Sequence, residues 1–272
     1  MSVDSKFTQC AFGFLSVFIA FSYLRFFKNE RMKKKIEVCF SPELLDLFDL
    51  EGKAVVVVDV LRATSCMVTG LAEGVKAIRP VMQVEECLQL MEKGYLGAGE
   101  RGGVKIEAFD LGNSPFGYME ERCKGRKIAV TTTNGTLAIE KSRGAKVVLI
   151  GAFLNLKAVA DFLKHLNLDA VIVCAGWKGR VNLEDSLFAG ALAAQLEETF
   201  ATSCDSVLMA KTLWRNAEGR LENVVGQSAH VERLKNIGIG EDLEFCTAVD
   251  RYHGVPVLEG KELVLADVRA GG

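Results

Sequence analysis

Apolar residues fall in short continuous blocks along most of the chain, with amphipathic stretches between them. The strongest block spans 54–60, where Val55, Val56, Val57 and Val58 run straight into Asp59. A run with no polar alternation suits a strand buried on both faces, as in the middle of a parallel sheet. Shorter blocks at 36–40, 77–81, 127–131, 146–150 and 170–175 predict further strands. Helical spacing is predicted over 44–50, 67–72, 84–91, 154–166 and 183–200, with another helix running to Lys141. Ser41-Pro42-Glu43 reads as a helix start, and Gly74 and Gly94 read as stops. Beyond residue 204 the pattern is weaker: helices over 205–216, 228–238 and 240–250, then short strands at 255–258 and 262–265. Pro256 lacks an N–H, so those last two are expected to close the sheet as edge strands.

Strands alternating with helices predict an α/β fold, layered α/β/α around a mostly parallel or mixed central sheet. Residues 96–115 depart from that rhythm. Gly97, Gly99, Gly102, Gly103 and Gly112 are interspersed with Glu100, Arg101, Lys105 and Asp110. The stretch reads as a long functional loop. The helix over 183–200 carries Ala189, Ala193 and Ala194 on one face, which suits close packing on the sheet or on another copy in a homo-oligomer.

Residues 1–31 differ from the rest and hold seven of the sixteen phenylalanines. Residues 7–24 carry no charge and are followed by Lys28, Arg31 and three lysines at 33–35. The stretch is near the lower length limit for a spanning helix, and the basic flank would keep the remainder in the cytoplasm. Two readings lead: an over-long start, with Met32 opening the first strand, or a membrane anchor. A cleavable signal fits less well, because Lys6 is the only basic residue before the apolar run. In the two leading readings 32–272 is the folded domain, in the cytoplasm, touching a membrane only if 7–24 is an anchor. No Pro/Ser-rich linker divides it.

The chain is 49% hydrophobic and 25% charged, enough to bury a core. A net charge of −2 gives no electrostatic case for a nucleic-acid partner. The eight cysteines form no C-x-x-C pair and several lie in apolar runs, as expected of reduced thiols. Three scattered histidines argue against a zinc site or a Ser-His-Asp triad.

Three predicted strand ends carry polar clusters: 59–65, 131–136 and 176–185. In a parallel sheet they share an edge, where open α/β folds bind ligands. In the first, Asp59 suits a metal or a proton and Arg62 an anion, while Thr64 or Ser65 caps the following helix. The second offers hydroxyls and N–H groups to an oxyanion, although Thr133 or Asn134 equally suits an ordinary cap. The third supplies Arg180, Glu184 and Asp185; carboxylates in a first turn also serve the helix dipole. Nucleotide-binding fingerprints are missing. Gly97 to Gly102 spells G-x-G-x-x-G, but no helical pattern follows it. Carboxylates without a soft ligand set favour Mg²⁺. Arg62, Arg101 and Arg180 favour a small polyanionic substrate. Together these are the means for transferring a phosphoryl group to water.

Four stretches carry a family resemblance: Asp59-Val60-Leu61-Arg62-Ala63-Thr64; Gly99-Glu100-Arg101-Gly102-Gly103 leading to Phe109-Asp110-Leu111-Gly112-Asn113-Ser114-Pro115; Thr131-Thr132-Thr133-Asn134-Gly135-Thr136; and Cys174-Ala175-Gly176 with Leu183-Glu184-Asp185. In order and spacing they resemble the 2-phosphosulfolactate phosphatase family (ComB) from about Lys33 onward. The resemblance implies a Mg²⁺-dependent phosphatase releasing phosphate from 2-phosphosulfolactate in coenzyme M biosynthesis. It implies catalytic roles for Asp59, Arg62, Glu100 and Asp185. The three acids are expected to hold Mg²⁺ directly or through water, or one of them to position the attacking water. Arg62, Arg101 and Arg180 are expected to clamp anions, with Thr64, Asn113, Ser114, Thr132 and Asn134 at the substrate. Asp59 lacks the second Asp of a D-x-D phosphatase motif, which favours direct attack by water over an aspartyl-phosphate. The turn at Trp177-Lys178 is expected to influence substrate preference. Two alternatives stay open: a phosphatase for another small phosphorylated hydroxy acid, and a non-catalytic anion-binding protein.

Overall fold

The computed structural model describes residues 33–202, 204–235 and 239–266. The expectations for 1–31, including the apolar stretch 7–24, lie outside the described residues. All elements below belong to the unit Lys34–Gly272. Among the described residues no helix is long and apolar enough to cross a membrane.

The valine run forms β2 (Ala54–Val58), every residue of which is buried. It lies between two parallel neighbours, β7 (Val147–Gly151) and β8 (Ala170–Cys174), so that Val56 faces Leu149 on one side and Ile172 on the other. β1 (Lys34–Cys39) continues the parallel half beyond β8, and β9 (Phe200–Thr202) ends it. A second parallel set comprises β3 (Ala77–Pro80), β6 (Lys127–Thr131) and β4 (Leu96–Arg101), with the short β5 (Val104–Lys105) antiparallel on β4. The hairpin β10 (Pro256–Glu259) and β11 (Glu262–Leu265) joins the two sets. The described strands thus make one mixed eleven-stranded sheet, in the order β5-β4-β6-β3-β11-β10-β7-β2-β8-β1-β9. Helices cover the sheet, giving the α/β class that the alternation predicts.

Two expectations are corrected. The closing hairpin does not edge the sheet but lies inside it. Its contacts outward are single pairings, Val257 with Leu149 and Leu263 with Ile78. So sparse a ladder loses little where Pro256 lacks its N–H. Residues 96–115 are not one long loop, because 96–101 form β4. Glycine is required there by backbone contact: at Gly99, with φ +154°, a Cβ would stand 2.2 Å from the Thr131 carbonyl oxygen. β9 and the short helix Leu221–Val225 were not foreseen.

Three successive antiparallel pairings separate β7 from β3, so the two parallel sets run in opposite senses. Five steps separate β2 from β6. Twist of roughly 20–25° per neighbour accumulates to about 100° or more over them, enough to turn both sets of carboxyl ends toward one cleft.

Most helices stand where predicted, but 44–50 gives only a 3-10 turn over Pro42–Leu47, the helix from Leu183 stops at Gln195, and the short helix Pro115–Tyr118 was not foreseen. α1 (Ala63–Ala72) is buried along almost its whole length. α2 (Val84–Met91), α3 (Pro115–Tyr118), α4 (Gly135–Lys141) and α5 (Leu156–Leu166) come next. The small-residue helix, α6 (Leu183–Gln195), packs on α7 (Asp205–Ala217). A Cβ at Gly190 would lie 2.0 Å from the Ala210 carbonyl oxygen, so the two backbones all but touch. α8 (Leu221–Val225), α9 (Ala229–Leu234) and α10 (Gly240–Thr247) complete the set.

Candidate active site

β2 hands the chain directly to the site. Asp59 follows its last residue, and α1 begins four residues later. Neither Thr64 nor Ser65 caps α1; Arg62 occupies the cap position and makes no side-chain cap bond. Thr64 instead ties the turn together. Its Oγ1 accepts from the Asp59 N–H at 2.9 Å and donates to the Asp59 carbonyl at 2.9 Å. Ser65 Oγ donates to the Val60 carbonyl at 2.8 Å. Thr64, expected at the substrate, is thus spent with Ser65 on fixing the turn that carries Asp59.

Asp59 meets the start of α4. A Cβ at Gly135 would lie 2.9 Å from Asp59 Oδ2 and 2.7 Å from the Ala63 Cβ, so the glycine lets two helix starts converge on one carboxylate. Burial pushes the Asp59 carboxyl up to about 7; His230 opposes that shift, while Glu100 and Glu184 add to it. Glu100 reaches the same cleft from the end of β4. Its Oε1 accepts from the Thr133 N–H at 2.8 Å and its Oε2 from the Gly103 N–H at 2.6 Å.

The cleft is lined by Asp59, Arg62, Glu100, Asn113, Asn134 and His230, and also by Trp177 and Arg233. Arg62 is buried. Asp242 of α10 takes its Nη1, and the Gly103 carbonyl takes its Nη2 at 3.3 Å. Ser114 Oγ donates to the other Asp242 oxygen at 2.6 Å, so Ser114 acts on Arg62 through Asp242. Asn113 Oδ1 and Thr133 Oγ1 are buried without a hydrogen-bond partner. Orphaned polar atoms in a cleft wall are groups left for a ligand.

Other expected residues stand elsewhere. Asp185 is fully buried, and its two oxygens accept from the Val60 N–H at 2.9 Å and the Gly176 N–H at 3.0 Å. Burial, reinforced by Glu184 and Asp59, holds its carboxyl well above the usual range despite those two donors. Asp185 thus fastens the ends of β2 and β8 together and does not line the cleft. Arg101 donates to the Glu100 carbonyl at 2.8 Å and to Thr131 Oγ1 at 3.0 Å, outside the cleft lining. Arg180 is exposed and lines an adjoining hollow with Trp177 and Arg233. Thr132 Oγ1 accepts from the Thr136 N–H at 3.2 Å and so supports the first turn of α4. Asn134 Oδ1 accepts from the Lys178 N–H at 3.0 Å, pinning the Trp177-Lys178 turn to the cleft. Cys174 is wholly buried with its thiol pushed well above the usual range by burial, which suits core packing.

Sequence reasoning passed over His230, Asp242 and Arg233 as site residues, and named Glu184 in the third polar cluster without giving it a role. Glu184 Oε1 lies 2.5 Å from His230 Nδ1, and Asn182 Nδ2 lies 3.2 Å from the same ring nitrogen. Glu184 Oε2 is buried with no partner. No local motif announces this pair, since 46 residues separate its members. The acid beside Asp185 was visible, but its neighbour takes the backbone bonds and leaves Glu184 to face the histidine.

Among the described residues no cluster of three or more His, Cys, Asp or Glu is arranged to hold a metal by itself. Mg²⁺ ordinarily takes one or two carboxylates and fills its shell with water and substrate phosphate. Asp59 and Glu100, which line the cleft, offer hard oxygen donors of that kind.

A model of the 2-phosphosulpholactate phosphatase family matches residues 39–261. The chain is similar to the probable 2-phosphosulfolactate phosphatase of Caldanaerobacter subterraneus subsp. tengcongensis, at 42% identity over 216 residues, covering 78% of this chain and 90% of the relative. The corresponding Thermotoga maritima protein is 40% identical over 218 residues, covering 80% and 94%. That of Gloeobacter violaceus is 37% identical over 230 residues, covering 82% and 94%. Relatives alike over most of the chain share one catalytic class, and this protein is a phosphoric monoester hydrolase built on an α/β sheet. More narrowly, the chain belongs to the 2-phosphosulfolactate phosphatase family.

Proposed function

We propose that this protein hydrolyses the phosphomonoester of 2-phosphosulfolactate to sulfolactate and inorganic phosphate, in a Mg²⁺-dependent reaction of the coenzyme M biosynthesis type. The observation that carries the reading is the buried Arg62 guanidinium, oriented by Asp242, in the same cleft as Asp59 and Glu100. A fixed guanidinium in a partly desolvated cleft stabilises charge on a phosphoryl group at little reorganisation cost.

In this reading Asp59 and Glu100 would hold Mg²⁺, while Asp185 stays on the backbone. The ion, when bound, neutralises charge on the phosphoryl oxygens. Arg62 grips those oxygens, and Asn113, Thr133 and Asn134 complete the polar wall. Water attacks phosphorus, the bond to the C2 oxygen breaks, and the leaving oxygen takes up a proton. His230, held by Glu184, is the cleft side chain suited to carry that proton. Asp59 is followed by Val60 and Leu61, with no second Asp, so direct attack by water is preferred to an aspartyl-phosphate.

The test is phosphate release from a panel of phosphorylated hydroxy acids, with Mg²⁺ and with EDTA. Turnover of 2-phosphosulfolactate well above that of 2-phospholactate and phosphoglycolate, abolished by EDTA, supports the reading. Preference for one of the other compounds reassigns the substrate, and undiminished rates in EDTA remove the metal.

A further inference from the structure

We infer that Arg233, stacked on Trp177, is the specificity-determining subsite for the acid group of the substrate that lies remote from the phosphate. The inference rests on the phosphatase reading and assigns a residue to the second anion. Its guanidinium carbon stands 4.1 Å from the centroid of the Trp177 ring, in cation–π contact. Both residues line the cleft that holds Asp59, Arg62 and Glu100.

The charge balance of the cleft separates its two arginines. Arg62 is neutralised by Asp242 and buried with it. Arg233 is exposed, and no carboxylate pairs with it among the described residues. Lys178 Nζ also lies over the Trp177 ring, at 4.9 Å, so one indole carries two cations. The ring is held in turn, because Asn134 anchors the Lys178 N–H at 3.0 Å. Arg101 and Arg180 do not line this cleft. An arginine flattened on an aromatic face loses less freedom when it grips an anion than a free one does, and its planar fork suits a carboxylate or sulfonate. Arg233 is therefore the cation of the cleft whose charge is left to be answered by a ligand.

The distinguishing measurement is calorimetric binding to the full chain in Mg²⁺ of two probes: sulfolactate, which has no phosphate, and inorganic phosphate, which has no second acid group. Arg233→Gln is expected to weaken sulfolactate roughly tenfold, the usual scale for losing one charge-assisted contact, and to change phosphate binding less than about twofold. Arg233→Lys should fall between, because it keeps the charge without the fork. Steady-state hydrolysis of 2-phosphosulfolactate by Arg233→Gln should show a raised KM with kcat nearly unchanged. Unaltered sulfolactate binding in Arg233→Gln overturns the inference, as does equal weakening of both probes or a wild-type chain that does not bind sulfolactate. A chain that binds sulfolactate through Arg233 yet hydrolyses nothing leaves this subsite standing and removes the catalytic reading.

Discussion

Asp242 holds the guanidinium of Arg62 across 180 residues of sequence, and both side chains are buried. The pair couples the first turn of the site to α10, near the far end of the described chain. Breaking a buried ion pair from one side leaves an uncompensated charge and costs about 3–5 kcal/mol. Asp242→Asn should therefore lower the unfolding midpoint and reduce kcat/KM by about 10²-fold through a misplaced Arg62. Adding Arg62→Gln should recover part of the stability and none of the activity. Recovery of activity in the double variant would show that Arg62 does not act on the substrate.

Asp59→Asn should abolish turnover, by roughly 10³-fold or more, with the fold retained. Its pH behaviour supplies a second measurement. The folded carboxyl sits near 7 against an ordinary value of 3.8, so between those values the fold binds a proton that the unfolded chain does not. Stability without metal should therefore fall as pH rises from about 4 to 7. Asp59→Asn should flatten that slope in thermal scans with EDTA, although Asp185 retains its own contribution. Mg²⁺ added at pH 8 should raise the midpoint of the wild type and not of Asp59→Asn.

Gly135→Ala tests the convergence of the two helix starts. The new methyl would stand 2.7 Å from the Ala63 Cβ and 2.9 Å from Asp59 Oδ2. Such overpacking costs about 1–3 kcal/mol and displaces the carboxylate. Activity should fall at least tenfold while the circular dichroism spectrum stays that of the wild type.

Glu184 and His230 should behave as one unit. Glu184→Gln and His230→Gln are each expected to lower kcat by about 10²-fold, and the double variant by little more than either. Fully additive losses, read from single-turnover rates, would mean that the two act separately.

The order of strands and helices was legible because buried strands declare themselves as unbroken apolar runs, and the valines of β2 did so most clearly. The hairpin was misplaced because Pro256 marks a weakened ladder, which a sheet tolerates at its edge and equally at a sparse internal seam. β4 was hidden by Gly97 and Gly99, which make room for the Met91 side chain and the Thr131 carbonyl respectively and read locally as a loop. In the site, Asp59, Arg62, Glu100, Asn113 and Asn134 were named from sequence and do line the cleft. His230, Asp242 and Arg233 were missed, and Glu184 was named without a role, because their importance lies in pairings formed only after long stretches of chain have packed. A sequence also gives no sign of which of two adjacent acids will be taken by backbone N–H groups, and here Asp185 was taken.

The hairpin β10–β11 has a consequence for synthesis of the chain. Asp59 belongs to one parallel half of the sheet and Glu100 to the other, and the strands that bridge the halves are the last ones described. While the chain emerges from the ribosome, β2 waits for β7 and β8, which follow only after the strands of the other half, and the seam between the halves waits for the hairpin. The nascent protein can therefore own all of its cleft carboxylates and still lack a cleft. Asp59 and Glu100 come to stand on one sheet only with the hairpin in place between β7 and β3.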